Sequence, residues 1–433
     1  MGHIRSETIQ KVDSIKPTSE STRENNPGTP NTPSVQRETS SERQQLLKAE
    51  NPVALFTNAI GDFIMTLPAL RALCFLFPER LTVVCPDWAS NMLSANLPHL
   101  RNIIAPPPSE KMFHIDAVFQ DDLSRATFSK DLRQRLEKNG LSLSKNVIIS
   151  VEETDRFWRI TDKDSGEFHF AVKRTGRLDI ISTMFCDYVD QRIKECDLLL
   201  SLNPWHSREF DRLLERLAPT DSVGFYPAYS KQLVWSTSEH SVDMAFKVPQ
   251  YLNPALRPES FAETLKLPRD CEQLAERWRK GVPPSLKVLA VHADTKEYKM
   301  WPTHRFVSLL DKFLERHPNF VVMVVGTQDL QLNQGQHGNK VYPCYGQPLA
   351  FSFALVGTAD LFLGVDSCML HASDLFRIPG VGLFGPTDCH EFGFRFAPHQ
   401  HVRSKGRMDA ISISEVLDAL EFLIRQELAT STN

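Results

Sequence analysis

Apolar positions along the chain keep two different rhythms. Val53–Thr57 is a short apolar run of strand length, and a glycine-bearing turn, Asn58–Asp62, follows it. Ile64, Leu67, Leu70, Leu73, Cys74 and Phe77 then recur at helical spacing, so Phe63–Phe77 is expected to be a helix with one apolar face. Pro78 stops it, and Leu81–Cys85 is again strand-like. Strand, helix and strand within so short a stretch predict a βαβ unit and a parallel sheet. The same rhythm returns downstream. Strands are expected at Val288–His292, Phe320–Gly326, Leu361–Val365 and Gly380–Leu383, with helices at Thr303–Arg316, Leu349–Thr358, Met369–Phe376 and Ile413–Leu428.

Between about 105 and 195 the pattern changes. A polar helical stretch, Ser124–Lys138, leads to strand-like segments at Asn146–Val151, Arg156–Thr161, Phe168–Lys173 and Leu178–Ser182. Asp162–Glu167 and Thr175–Gly176 separate the last three with turn-forming residues, which predicts a β-meander. The α/β rhythm resumes with strands at Asp197–Leu202 and Ser222–Phe225 around a helix at Phe210–Leu217. A helical connector over about 240–280 runs to the Pro283–Pro284 pair, a natural boundary. The expected organisation is a disordered tail over 1–48, an N-terminal α/β domain over 49–282, a C-terminal α/β domain over 283–410, and a closing helix and tail over 411–433. The β-rich segment interrupts the N-terminal domain. Residues 1–48 hold no Phe, Trp, Tyr or Cys, and so lack the apolar surface that offsets ordering entropy.

Composition narrows the class. Apolar residues at 41% and charged ones at 24% describe an ordinary globular chain with a sizeable core. The 49 basic and 53 acidic residues leave a net charge of −4, which argues against general nucleic-acid binding. The eight cysteines form no CxxC pair, so a zinc knuckle or a disulfide framework is not expected. Reduced thiols, with no secretory signal and no apolar run near membrane-spanning length, point to the cytoplasm.

Three stretches carry candidate chemistry. Asp62 sits where a strand turns into a helix, at the carboxyl edge of a parallel sheet, where such folds bind ligands. Spacing alone leaves open whether it is a base or only a partner of the helix dipole. Val291–Pro302 delivers Lys296 and Lys299 to a similar loop. Lys296 reads as solvated, and Lys299, held by Trp301–Pro302, reads as a phosphate anchor. In Gly364–His371 a strand runs into a helix at Asp366 and Ser367, whose free amides suit a diphosphate. His371 follows Ser367 by one turn, as a ligand or as a core histidine. Gly380–Gly385 matches GxGxxG but itself reads as a strand after a helix, which excludes the dinucleotide fingerprint.

Together these segments resemble glycosyltransferase family 9, the ADP-heptose-using heptosyltransferases. Asn58–Leu73 (NAIGDFIMTLPALRAL) is similar to the family's N-terminal signature, His292–Pro302 (HADTKEYKMWP) to its K-x-WP segment, and Asp360–Thr387 to its D-[ST]-G-x-x-H region ending in LFGPT. Asp197–Phe225 and His240–Leu252 resemble it more weakly. The resemblance implies a GT-B architecture: two Rossmann-like doubly wound domains facing a cleft, here with a β-rich insertion in the first. It implies metal-independent inverting transfer without a cofactor. The donor would be a nucleotide-sugar, ADP-heptose, and the acceptor a glycolipid or glycan hydroxyl, with peripheral membrane contact conceivable. Asp62 matches the family's general base, and Gly61 and Thr66 fall on the acceptor side. Thr295, Lys299, Asp366, Ser367, Cys368 and His371 match donor-binding positions. Cys368 stands where the family has glycine, which narrows the donor pocket and leaves the donor sugar open. The long 105–195 segment does the same for the acceptor. A protein or small-molecule acceptor, or a GT-B-shaped protein that binds a nucleotide-sugar or partner without turnover, are the competing readings.

Overall fold

The computed structural model describes residues 40–106, 115–116, 149–153, 157–162, 168–173, 177–182, 188–203 and 208–430. Order begins earlier than expected, because α1 (Ser40–Leu46) lies inside the stretch assigned to the tail and buries Leu46. The rest of that stretch, and the helix expected at Ser124–Lys138, lie outside the described residues.

The N-terminal half is built on a parallel sheet of β1 (Pro52–Leu55), β2 (Thr82–Val84), β3 (Asn102–Ile104), β9 (Leu198–Ser201), β10 (Asp221–Gly224) and β11 (Lys231–Gln232), in the order β11-β10-β9-β1-β2-β3. Helices α2 (Ile60–Leu76), α3 (Asp87–Asn96) and α4 (Arg208–Leu217) connect its strands. Two further helices, α5 (Ser241–Leu252) and α6 (Arg269–Gly281), replace the single connector read from the sequence. The chain between β3 and β9 forms a separate antiparallel sheet of β4 (Ile115–Asp116), β5 (Ile149–Glu153), β6 (Phe157–Asp162), β7 (Phe168–Lys173) and β8 (Arg177–Ser182), ordered β4-β8-β7-β6-β5. The expected four-stranded meander is thus present and carries one additional short strand.

The C-terminal half repeats the first plan. Its parallel sheet holds β12 (Lys287–His292), β13 (Phe320–Gly326), β14 (Val341–Tyr345), β15 (Leu361–Val365), β16 (Gly380–Phe384) and β17 (His399–Arg403), ordered β14-β13-β12-β15-β16-β17. Helices α7 (Thr303–Arg316), α8 (Leu349–Val356), α9 (Cys368–Leu375), α10 (Cys389–Phe392) and α11 (Ile413–Thr430) complete it. In both sheets the first strand of the half pairs with the second on one side and the fourth on the other. The strand order reverses at that point, which is where doubly wound folds open a crevice for ligands. GxGxxG is confirmed as part of a strand. Its glycines let side chains pack, since a Cβ at Gly380 would meet Phe394 and one at Gly382 would meet Phe384 and Leu370.

Helix α2 departs from expectation in an informative way. One apolar face was predicted, yet every residue from Phe63 to Cys74 is buried. α5 and α9 both pack on it in addition to its own sheet, so no face is left for water. Arg71 is the polar exception. Its guanidinium donates to the carbonyls of Phe261 (3.2 Å), Glu263 (2.6 Å) and Thr264 (3.0 Å) and to Asn96 Oδ1 (2.8 Å). Burial depresses its pKa to about 10, which leaves it charged at neutral pH. Arg71 thereby staples the segment before α6 to the helix that carries Asp62. Arg71→Met should strand these acceptors and cost about 3 kcal/mol or more, read as a lower urea midpoint at unchanged m.

Candidate active site

Both strand-order reversals deliver polar residues to one place. On the N-terminal side, Ala59 is the N-cap of α2 and Asp62 its third helical residue. The Ala59 amide favours the ionised Asp62 carboxylate, as the N-cap amide favours an acid at the third helical position. Burial lifts its pKa above the ordinary carboxylate range, and the charge of Asp366 adds to the lift. The Ala59 amide, Lys299 and Lys296 oppose it.

On the C-terminal side, the loop after β12 carries Asp294, Thr295 and a short 3-10 turn, Glu297–Lys299. Trp301 anchors that loop. It is 1% exposed, packs edge-on to Phe306 with centroids 4.9 Å apart, and donates its indole N–H to the Ile411 carbonyl at 3.1 Å. Lys299 Nζ, held in this way, donates to Asp366 Oδ2 at 2.6 Å, and Thr295 Oγ1 donates to the Asp366 carbonyl at 3.3 Å. Asp366 closes β15, and Ser367 caps α9 in extended conformation with its hydroxyl buried and unpartnered. His371 Nε2 lies 3.9 Å from Asp366 Oδ1. Burial, helped by His240 and Lys299 and opposed by Asp366, lowers the His371 pKa to about 4, so the imidazole is neutral at physiological pH and forms no ion pair.

The two sides touch. A Cβ built on Gly61 would lie 3.1 Å from His371 Cδ2 and 3.9 Å from the Cys368 Cα. Gly61, Asp62, Thr295, Lys299, Asp366, Ser367, Cys368 and His371 are therefore brought together, while Thr66 lies one turn deeper in α2 and is buried. Burial pushes the Cys368 thiol up to about 11, opposed by the amides of Cys368 and Met369 that open α9.

Several residues escaped the sequence reading. Lys296, read as solvated, is exposed, yet its charge acts on Asp62. Asp294 Oδ2 orders the next loop by accepting from the Thr327 amide and hydroxyl, both at 2.6 Å, and from the Gln328 amide at 3.1 Å. Glu391 on α10 brings a third carboxyl within electrostatic reach of Asp62 and Asp366. Its pKa is raised by burial and then by Asp388, Asp366 and Asp62. Beside it, Asp388, Cys389 and His390 hold potential ligand atoms within 4.8 Å of one another, the one such group among the described residues. Asp388 Oδ1 already caps the His390 amide at 2.9 Å. No motif in the sequence marked these positions.

Two doubly wound halves meeting at their reversal points make the architecture of the GT-B fold. Residues 238–411 match the family model described as glycosyltransferase family 9 (heptosyltransferase). In fold it is similar to the glycosyl transferase family 9 from Veillonella parvula, with TM-score 0.59, 16% identity and coverage of 87% of this chain and 97% of that one. It is also similar to E. coli ADP-heptose lps heptosyltransferase II, with TM-score 0.55, 13% identity and coverage of 87% and 99%. E. coli heptosyltransferase WaaC, solved with ADP, gives TM-score 0.55, 13% identity and coverage of 86% and 99%. No curated protein sequence matched the chain.

The Gly61 contact generates a test. Gly61→Ala should cost about 1–3 kcal/mol through overpacking, and should cost less in a His371→Ala background. A double-mutant cycle from denaturant melts should therefore return a coupling of at least about 0.5 kcal/mol.

Proposed function

We propose that the protein transfers a sugar, heptose, from a nucleotide-diphosphate donor, ADP-heptose, to a hydroxyl of a glycolipid or glycan acceptor in the cytoplasm. One observation carries the reading: Asp62 and the Lys299–Asp366 pair come from opposite halves and act electrostatically on one another across the crevice. Asp62 takes the proton of the acceptor hydroxyl as its oxygen bonds to the anomeric carbon. The bond from that carbon to the diphosphate oxygen breaks, and the nucleotide leaves with the electron pair. A single displacement inverts the anomeric centre. A base with a raised pKa is better matched to this proton transfer than an ordinary carboxylate.

The developing charge on the leaving diphosphate needs positive partners. Lys299 supplies one and the amides opening α9 supply others, which makes a metal unnecessary to the step. Donor phosphates must then compete with Asp366 for Lys299. The crystal complexes of WaaC with ADP and with ADP-2-deoxy-2-fluoro heptose support an adenine nucleotide donor. Cys368 favours a second reading, a binder without turnover, because its side chain stands at the start of α9, beside the amides a phosphate would use.

A thermal-shift panel separates the two readings: stabilisation by ADP-heptose together with turnover supports transfer, and stabilisation alone supports binding. Asp62→Asn should lower kcat/KM by about 10²–10⁴-fold while ADP affinity stays within a few-fold, as measured by calorimetry. The pH profile carries a sign. A base must be ionised, so activity falls as pH drops through the Asp62 pKa, and that limb should lie above the ordinary carboxylate value. Lys299→Met removes a charge that lowers this pKa and should move the acid limb of kcat/KM to higher pH. Asp366→Asn removes one that raises it and should move the limb to lower pH.

A further inference from the structure

We propose that Trp88 is the platform on which a sugar ring of the acceptor stacks, placing its hydroxyl at Asp62. The proposal rests on the reading of Asp62 as the base for an acceptor hydroxyl, and it names the part of the molecule that binds that acceptor.

Trp88 is the second residue of α3, at the carboxyl edge of β2. β1 and β2 end level, since Leu55 pairs with Val84 and the Phe56 amide donates to the Val84 carbonyl at 2.9 Å. The turn that carries Asp62 and the helix start that carries Trp88 thus leave the sheet side by side. The indole is tied to that turn by rings. Trp88 packs edge-on to Phe63 with centroids 5.7 Å apart and planes at 86°, and Phe63 packs on Phe56 at 5.7 Å and 60°. Phe63 and Phe56 are fully buried, whereas Trp88 keeps 38% of its surface exposed. Phe63 is the residue after Asp62, so the ladder that fixes the indole also fixes the helix turn of the base.

An immobilised, half-exposed indole beside a polar crevice suits one kind of ligand. A pyranose presents C–H bonds on one face and hydroxyls at its rim, and the C–H face complements the electron-rich face of an aromatic ring. Ligand sites combine such apolar surfaces with a few fixed polar groups. One such group stands in the same turn: Asn58 is 5% exposed and its side-chain oxygen has no hydrogen-bond partner. Tyr298, another exposed aromatic near the crevice, adjoins Lys299 on the donor side and does not compete for this role.

The test uses the full chain and a lipopolysaccharide inner-core oligosaccharide freed of its acyl chains. Its binding is measured by calorimetry, and its glycosylation is followed with ADP-heptose. Trp88→Ala should weaken binding and raise the acceptor KM by about 10-fold or more. Trp88→Phe should stay within about 3-fold of wild type, because it keeps a ring. ADP affinity should remain unchanged in both variants, and the loss should fall on acceptor KM rather than on kcat, a split that a purely structural role would not give. Equal binding by wild type and Trp88→Ala overturns the proposal, as does absence of binding by the wild type. Binding lost only in Trp88→Ala, with no sugar transferred by any form, upholds the platform and removes the transferase reading.

Discussion

The site depends on how closely two helix starts approach. α2 begins after the first strand of one half and α9 after the fourth strand of the other, and they meet where Gly61 faces His371. A side chain at position 61 would hold them apart. With glycine there, Asp62 is carried against the C-terminal half, out of bulk water and within reach of Asp366, Lys299 and Lys296. The contact also fits the continuous burial of α2 from Phe63 to Cys74, since the helix serves as an interface to α9 in addition to packing within its own half.

That closeness has an electrostatic consequence. Burial and Asp366 disfavour ionised Asp62, while the Ala59 amide and two lysines favour it, and the first pair prevails. A carboxyl whose pKa is raised in the fold binds its proton more tightly there than in the unfolded chain. It therefore adds stability that is fully present below its unfolded pKa and is lost as pH rises through its folded pKa. Ionised Asp62 is destabilising at neutral pH, and the surrounding structure must compensate. Arg71, two turns along the same helix, contributes by holding the segment before α6 through three hydrogen bonds and Asn96 of α3 through a fourth. On the other half, Trp301 and Asp294 fix the loops around Lys299. The rigid scaffold and the unstable charge belong to one design, as expected where function and stability compete.

Regular, fully buried elements were legible in the sequence. Phe320–Gly326 and Leu361–Val365 are strands with the expected limits, because central strands of a parallel sheet are continuous apolar runs. The edge strands β14 and β17 were not, since VYPCY and HQHVR mix polar, aromatic and proline residues at a sheet margin. α1 was lost in a polar tail because a short helix resting on one buried leucine leaves little pattern. At the site, the motif residues came from resemblance, and their partners did not. Lys296 looked solvated because exposure and electrostatic reach are different properties. Glu391 sits on α10, a four-residue helix whose place depends on how the chain leaves β16, which no local spacing encodes.

Topology also bears on the inserted sheet. β3 runs parallel to β1 and β2, so its last residue, Ile104, lies at the same carboxyl edge as the Asp62 turn and Trp88. The chain leaves for β4–β8 from that edge and returns to start β9, whose own carboxyl end neighbours β1 at Ser201 and Leu55. An insertion in the β3-to-β9 crossover therefore departs from the carboxyl edge of the N-terminal sheet, while the C-terminal half carries no inserted sheet among the described residues. In such a fold this is where variation costs least: buried strands and the helices packed on them must keep their geometry, whereas a loop leaving the sheet edge is free to grow.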